Sequence, residues 1–292
     1  MSDFALHQLT ELTGGCLGRH DVPCPVCGPD RRSPINQRRR VLRIWHDEPN
    51  FANYLCARCG IDGWAADHSA QRTNPALIER IRAKAEAQRL SDIAGSLEKS
   101  RWLWSQRQPI GGTIAESYLR RCRGYTGELP GTLGFLPARG EHPPAMIAAF
   151  GTAAETTPGA LTIYDAAVHG VHITKLQPDG SGKAGTEADK LTIGRGNTSP
   201  IMLAPPNDGL GLVIAEGIED ALSVHAATGL GAWAAGTAGR MPALANAVPN
   251  YVESVVIMVD ADDAGERNAI QLASGLDDRG IEVLLVRPGG AA

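Results

Sequence analysis

A chain of 292 residues, 43% hydrophobic and 21% charged, is long enough for two domains at roughly 150 residues each and can bury a sizeable core. The opening "MSDFALHQLTELTGG" has neither a basic start nor an apolar stretch, and no apolar run nears the roughly 20 residues of a membrane span, so a signal peptide and a membrane-spanning class are excluded and a cytoplasmic protein is expected. The net charge of −4 conceals a gradient: residues 1–123 hold 19 Lys and Arg against 13 Asp and Glu (net +6), the remainder 9 against 19 (net −10), so a polyanion suits the first half and bound cations the second, unless both are simply solvated.

From Cys16 to about Asp67 the chain is rich in Gly, Pro and Arg, with short apolar pieces ("VLRIW", "NYLCARCG") that read as strands between turns. Some 50 residues rarely bury enough apolar area alone, so this part needs a staple. "CPVC" at 24–27 and "CARC" at 56–59 supply one. Two Cys-x-x-Cys knuckles separated by 28 residues place Cys24, Cys27, Cys56 and Cys59 around one ion, and in a reducing cytosol this reads as structural Zn2+ with a closed shell. Redox dithiols are the competing reading. Cys16 and Cys122 are expected as free thiols, and His20, His46 and His68 as bystanders to a filled shell.

Between the knuckles Arg31, Arg32, Arg38, Arg39, Arg40 and Arg43 precede Trp45, Phe51 and Tyr54. Arginines pair with phosphates and aromatic rings stack on bases, so Arg31, Arg32, Arg38, Arg39, Arg40, Arg43, Trp45 and Tyr54 form a candidate nucleic-acid platform; the alternative is a small aromatic core with a solvated basic edge.

Residues 75–104 have Pro in an N1-like position, apolar residues at helical spacing (Leu77, Ile78, Ile81, Ala85) and much charge, and predict a connecting helix. On it Arg80, Arg82, Lys84 and Arg89 could follow a nucleic-acid backbone or be solvated. A short helix is expected at "GTIAESYLRRC", with Thr113 as N-cap and Glu116 completing a capping box. Residues 124–205 read as a mixed, strand-rich segment ("AMIAAF", "GALTIYDA", "DKLTIG", "PIMLAP"), with "QPDGSGK" as a hairpin or loop tip.

From Gly211 strands and helices alternate: "GLVIAE" strand, "GIEDALSVHAATG" helix, "AWAAG" strand, "MPALANAV" helix, "SVVIMVD" strand, "AGERNAIQLASGLDDRG" helix, "IEVLLVRP" strand. Apolar strands between amphipathic helices predict a parallel sheet covered on both faces. Glu216 ends one strand, and "VVIMVDADDAGERNA" brings Asp260, Asp262 and Asp263 to the end of another. The carboxyl ends of parallel strands are where open α/β sheets build their sites, and three crowded carboxylates suit Mg2+ or Mn2+.

These motifs resemble the TOPRIM domain of bacterial DnaG-type primases, topoisomerases and related nucleases. "VIAEGIEDALS" is similar to its first motif, "VVIMVDADDAGERNA" to its Asp-x-Asp motif, and "AAGTAG" to a glycine-threonine turn of primases. The upstream "CPVC…YLCARCGIDGWAAD" is similar to the zinc-binding domain of bacterial and phage primases, with Cys27 where a histidine often stands. The whole order resembles a primase of the kind carried by phages and mobile elements. The expected fold is therefore an α/β TOPRIM domain at 211–292, preceded by a β zinc ribbon at 1–70, a helical linker at 71–123 and a strand-rich segment at 124–210 that begins the polymerase core.

The resemblance implies a nucleotidyltransferase that synthesises RNA primers, in a bacterial or phage-infected cell. Glu216 would act on the reacting hydroxyl or on a metal, and Asp260 and Asp262 would hold Mg2+ or Mn2+. Asp220 matches Glu-Gly-x-x-Asp and, four residues on, is expected on the same helix face as Glu216; Asp263 is expected only to cap the following helix. Lys175, Lys183 and Lys190, just before the TOPRIM part, are candidates by position to hold nucleotide, with solvated loop lysines as the alternative. Implied partners are a single-stranded DNA template, ribonucleoside triphosphates and a replicative helicase, with no membrane. Two departures stand out: a further acidic pair usual in primases is not found after "VLLVRPGG", and no helicase motor or docking domain follows. A RecR-like recombination mediator and a TOPRIM nuclease share parts of this plan, whereas a topoisomerase would need a tyrosine-bearing gate domain.

Overall fold

The computed structural model describes residues 4–30, 33–67, 75–194, 196 and 198–287. The chain forms two compact units, Met1–Ala87 and Gln88–Ala292. No helix among the described residues is long and apolar enough to cross a membrane.

The first unit is an antiparallel sheet of four strands in chain order, β1 (Gly18–Pro23), β2 (Arg40–Glu48), β3 (Phe51–Cys56) and β4 (Asp62–Ala66), with helix α1 (Leu6–Leu12) on one face and the short α2 (Pro34–Gln37) before β2. Alternation along the strands sorts the side chains. Leu42, Ile44, Ala52 and Tyr54 point into a small core with Phe4, Leu9 and three of the cysteines, while Arg43, Trp45, Phe51 and Asn53 take the other face.

A long helix, α3 (Pro75–Ser105), follows, and the boundary between the units falls within it. In the second unit its last turns lie on an antiparallel sheet: Trp104 is fully buried among Ile147, Val171 and Ile173, Ser96 Oγ accepts from the Gly194 N–H, and Arg101 donates to the Val168 and Ala166 carbonyls. That sheet comprises β5 (Gln108–Pro109), β6 (Leu133–Leu136), β7 (Ala145–Gly151), β10 (Val168–Lys175) and β11 (Lys190–Gly194), in the order β11-β10-β7-β6-β5; β8 (Ala154–Thr157) and β9 (Ala160–Thr162) make a separate hairpin. Helix α4 (Ile114–Ser117) runs into a π-helical turn at Tyr118–Cys122. The expected capping box at its start does not form. Thr113 Oγ1 donates to the Ile110 carbonyl instead, and Glu116 accepts from the Gly112 N–H one residue earlier.

The last sheet has the order β12 (Ile201–Ala204), β14 (Gly231–Ala234), β13 (Gly211–Ala215), β15 (Ser254–Met258), β16 (Glu282–Val286), with helices α5 (Ile218–Thr228) and α6 (Asp263–Asp277). Its four later strands are parallel, as expected. Two expectations need correction. "PIMLAP", read as part of the strand-rich segment, supplies β12, which pairs antiparallel with the open edge of β14. "MPALANAV" forms a short 3-10 turn at Pro242–Asn246, following another at Ala238–Arg240, rather than an α-helix. One continuous core joins this sheet to the antiparallel one, with Tyr118, Phe135, Met146, Phe150 and Leu176 packed among Val213, Ala215, Ile218 and Leu222. A second core, under α6, holds Leu212, Ile214, Trp233, Ile257 and Leu272.

Candidate active site and metal centre

The two knuckles share one local geometry. The Gly28 N–H donates to the Cys24 carbonyl at 2.9 Å and the Gly60 N–H to the Cys56 carbonyl at 3.0 Å, folding each Cys-x-x-Cys so that both sulfurs face inward. Only glycine fits after the first knuckle, because a Cβ on Gly28 would stand 2.5 Å from the Cys24 carbonyl oxygen. The four sulfurs lie within 4.8 Å of one another, with Cys24 to Cys59 at 4.0 Å and Cys27 to Cys56 at 3.8 Å. A tetrahedron with bonds of ~2.3 Å has edges of ~3.8 Å, so this donor set fits Zn2+. Burial and the neighbouring sulfurs push the Cys27 thiol well up, and burial takes Cys59 to about 11, so a cation is what lets the set ionise together. His46 is buried and bonded through Nδ1 to Thr13 Oγ1 at 3.2 Å, outside the sulfur cluster. Cys16 and Cys122 are free and exposed.

The basic stretch divides. Arg38, Arg39 and Arg40 are exposed, whereas Arg43 makes a bidentate pair with Asp21 at 2.7 and 3.1 Å across β1 and β2. Trp45 is half-buried on the outer face of the sheet. Tyr54 is corrected: alternation on β3 puts its ring in the core, 2% exposed and edge-on to Phe4 at 4.9 Å, so it cannot stack on a base. The outer-face aromatic that sequence reading missed is Trp64, 44% exposed, stacked on Phe51 at 6.1 Å and overlaid by the Arg82 guanidinium. Its alternation with Ala65 was the available signal. Arg31, Arg32 and His68 lie outside the described residues.

In the second unit Glu216 follows β13 directly. Its carboxylate accepts from the Ala238 N–H in the "AAGTAG" turn, which is itself tied back by the Gly236 N–H donating to the Glu216 carbonyl at 2.9 Å. Burial and the adjacent Asp260 push Glu216 up to about 7, Lys190 opposing them. Asp260, two residues beyond β15, is raised by burial and by the charges of Asp220 and Asp262, with Lys190 and Glu216 opposing. Four carboxylates thus meet at the ends of two adjacent parallel strands, although among the described residues no three of them stand within 4.8 Å of one another as the sulfurs do. Hard oxygen donors that repel one another in this way fit Mg2+ or Mn2+.

Local details differ from expectation. Glu216 lies outside the helix, whose N-cap is Gly217, so Asp220 reaches the cluster from the first turn of α5 and not from a shared helical face. The cap of α6 is Asp262, its Oδ1 accepting from the Gly265 N–H at 2.7 Å; Asp263 is the first helical residue. Of the three lysines, Lys183 and Lys190 reach the site and Lys175 does not. Lys190 acts electrostatically on Glu216, Glu219 and Asp260, and Lys183 Nζ lies 3.8 Å from Glu219 Oε1, whereas the charge on Lys175 is felt by Asp189.

Glu219 is the residue that sequence reading passed over. It is 9% exposed, and its Oε1 accepts from Tyr118 Oη at 2.7 Å. Burial works against its charge, but Lys190, the Tyr118 hydroxyl and Lys183 hold it down at about 2. Behind it His172 is pushed down to about 4 by burial and by Lys190, and so is neutral at pH 7.

Residues 211–291 match the family model described as the Toprim domain, and residues 94–203 match one described as a domain of unknown function, DUF7146. The first match falls on the residues that carry the motif resemblance. No curated protein matches this chain. Among solved structures the chain is similar to the primase of Aquifex aeolicus, in a crystal structure of its zinc-binding and RNA polymerase domains, at 14% identity and a TM-score of 0.41, over 99% of this chain and 79% of that one.

Proposed function

We propose that this Toprim-domain protein is a DNA primase, synthesising short RNA primers on a single-stranded DNA template by metal-dependent nucleotidyl transfer. The observation that carries this reading is the contact of Glu216 with Asp260 at the strand ends of a Toprim domain, with Lys190 acting on both. A four-cysteine ribbon precedes that domain in the chain.

The reaction to be served is attack of a primer 3′-hydroxyl on the α-phosphate of an incoming ribonucleoside triphosphate, with release of pyrophosphate. Glu216, directly after β13 and beside Asp260, is suited to take the hydroxyl proton. Asp220, Asp260 and Asp262 would hold Mg2+ or Mn2+, which supplies polarisation of the hydroxyl and charge neutralisation at the phosphates. Lys183 and Lys190 stand beside the carboxylates to receive the triphosphate, with Lys175 further along the same segment. The closed Cys24, Cys27, Cys56, Cys59 centre would hold Zn2+ structurally, leaving Arg38, Arg39, Arg40 and Trp45 to grip the template.

The test is incubation of the chain with single-stranded DNA, ribonucleotides including one labelled, and Mg2+ or Mn2+, beside Asp260→Ala. New short labelled RNA that disappears in the variant supports the proposal. Degraded template identifies a nuclease, and DNA binding without either chemistry identifies a recombination mediator.

A further inference from the structure

Glu219 stands inside the Glu-Gly-x-x-Asp motif, next to Asp220, and its Oε1 belongs to a closed circuit of contacts. The circuit begins at the π-helical turn Tyr118–Cys122, which continues α4. Tyr118 Oη donates to Glu219 Oε1 at 2.7 Å and accepts from Arg123 Nε at 3.0 Å. The same Oε1 faces Lys183 Nζ at 3.8 Å. Lys183 closes the loop that begins at Gln177, bridged to Leu176, and the tip of that loop returns to the π-helical turn, where Cys122 Sγ donates to the Gly180 carbonyl at 3.2 Å. Gly180 sits there at φ +73°, and a Cβ on it would stand 3.1 Å from the Ile114 carbonyl oxygen, so glycine is what lets the loop seat. Lys183 is therefore held from two sides by one turn, through its own loop and through Glu219.

The two ends of the ion pair differ in exposure: the Glu219 side chain is 10% exposed and that of Lys183 is 32% exposed. A carboxylate fixed by a tyrosine hydroxyl and nearly out of water aims an ammonium group that still faces outward. We infer that Glu219 is a positioning residue which, braced by Tyr118 and Arg123, sets Lys183 to receive the phosphates of the incoming nucleoside triphosphate. This deepens the primase reading and rests on it. Its Oε1 is taken by the tyrosine and the lysine together.

The test uses the full chain and two readouts, equilibrium binding of ATP carrying a fluorescent ribose label, and KM against kcat in primer synthesis. Glu219→Gln keeps an oxygen for Tyr118 Oη and removes only the charge. It is expected to weaken ATP binding roughly five- to tenfold and to raise KM by a larger factor than it lowers kcat. Because Glu219 acts through Lys183, the double variant with Lys183→Gln should bind no worse than Lys183→Gln alone. Tyr118→Phe, which leaves the charge and cuts the brace, is expected to weaken binding about two- to threefold and covers the case in which Glu219→Gln fails to fold. Unchanged ATP binding in Glu219→Gln, or effects that simply add in the double variant, would overturn the inference while leaving the primase reading intact. A wild-type chain that neither binds ATP nor makes primers overturns both.

Discussion

Glu216 and Asp260 face each other across the ends of β13 and β15, two strands with 38 residues between them in sequence but adjacent and parallel in the sheet, and after burial the Asp260 charge is what most raises Glu216. Like charges placed so favour a proton on one of them or a cation between them. The pair is thus a site prepared either to hold a proton or to exchange it for a cation.

One part of the pH dependence of stability follows from that pair. Glu216 titrates near 4.5 when unfolded and is pushed up to about 7 by burial and by Asp260 in the folded protein. Between those values the unfolded chain has released a proton that the folded chain retains at Glu216, so the contribution of Glu216 to stability falls as pH rises from about 4.5 to about 7. His172, pushed down to about 4, contributes in the opposite sense over about 4 to 6.5, so the expected signature is differential: the metal-free wild type should lose melting temperature relative to Glu216→Gln across the window. Added Mg2+ at a pH of about 7.5 should raise the melting temperature of the wild type and not of Asp260→Ala. A metal-insensitive wild type would remove the case for a carboxylate-held cation.

The ribbon has few apolar residues to hold it, its core resting on Phe4, Leu9, Leu42, Ile44 and Tyr54 with three of the four cysteines. Zinc chelation, or Cys56→Ser, is therefore expected to abolish the melting transition of the first unit and leave that of the second in place. Calorimetry of the full chain with and without chelator reads this directly, and an unchanged first transition would mean that the sulfurs are not a structural metal centre.

The exposed arginines and the outer-face tryptophan are expected to act on DNA by different physics. Arg39→Ala should lower the salt dependence of single-stranded DNA binding, by about 0.7 in the log–log slope for each phosphate no longer neutralised. Trp64→Ala should weaken binding at every salt concentration with the slope kept, since stacking releases no counterions. Tyr54→Phe, in the core, should leave affinity within about twofold because its ring meets Phe4 and not solvent. Anisotropy titrations at several salt concentrations separate the three, and a weakening by Tyr54→Phe as large as that by Trp64→Ala would contradict the assignment of faces.

The legible parts of this protein were those written in short-range chemistry. Cys24, Cys27, Cys56 and Cys59 are readable because two residues between thiols fix a turn whatever lies around it, and β13, β15 and β16 because apolar strands between amphipathic helices have one stable arrangement. What was not legible depended on pairing at a distance. Whether Tyr54 or Trp64 faces solvent is settled by strand register, which one residue of slippage reverses. That Glu219 would be buried against Tyr118, 101 residues earlier, is not encoded within either segment. The short-range details that went astray, Asp262 rather than Asp263 at the cap and turns in place of a helix at Pro242–Asn246, turned on single positions at element ends, where one residue decides the outcome.

Asp262 carries two duties that substitution can separate. As N-cap of α6 it has extended backbone, φ −133° and ψ 158°, and its Oδ1 satisfies the Gly265 N–H at 2.7 Å, one of four helix-start donors with no partner inside the helix. Its charge also acts on Asp260, which is what makes it a candidate metal holder. Asparagine retains the accepting oxygen but not the charge, and alanine removes both. Asp262→Ala is therefore expected to cost ~1 kcal/mol of stability, a fall of about 2–4 °C in melting temperature for a domain of this size, whereas Asp262→Asn should melt within about a degree of the wild type. Primer synthesis should be abolished in both, because an amide cannot neutralise a divalent cation, and Asp263→Ala should spare both stability and activity. Should Asp262→Asn retain full activity, Asp262 is a helix cap alone and the cation is left to Glu216, Asp220 and Asp260.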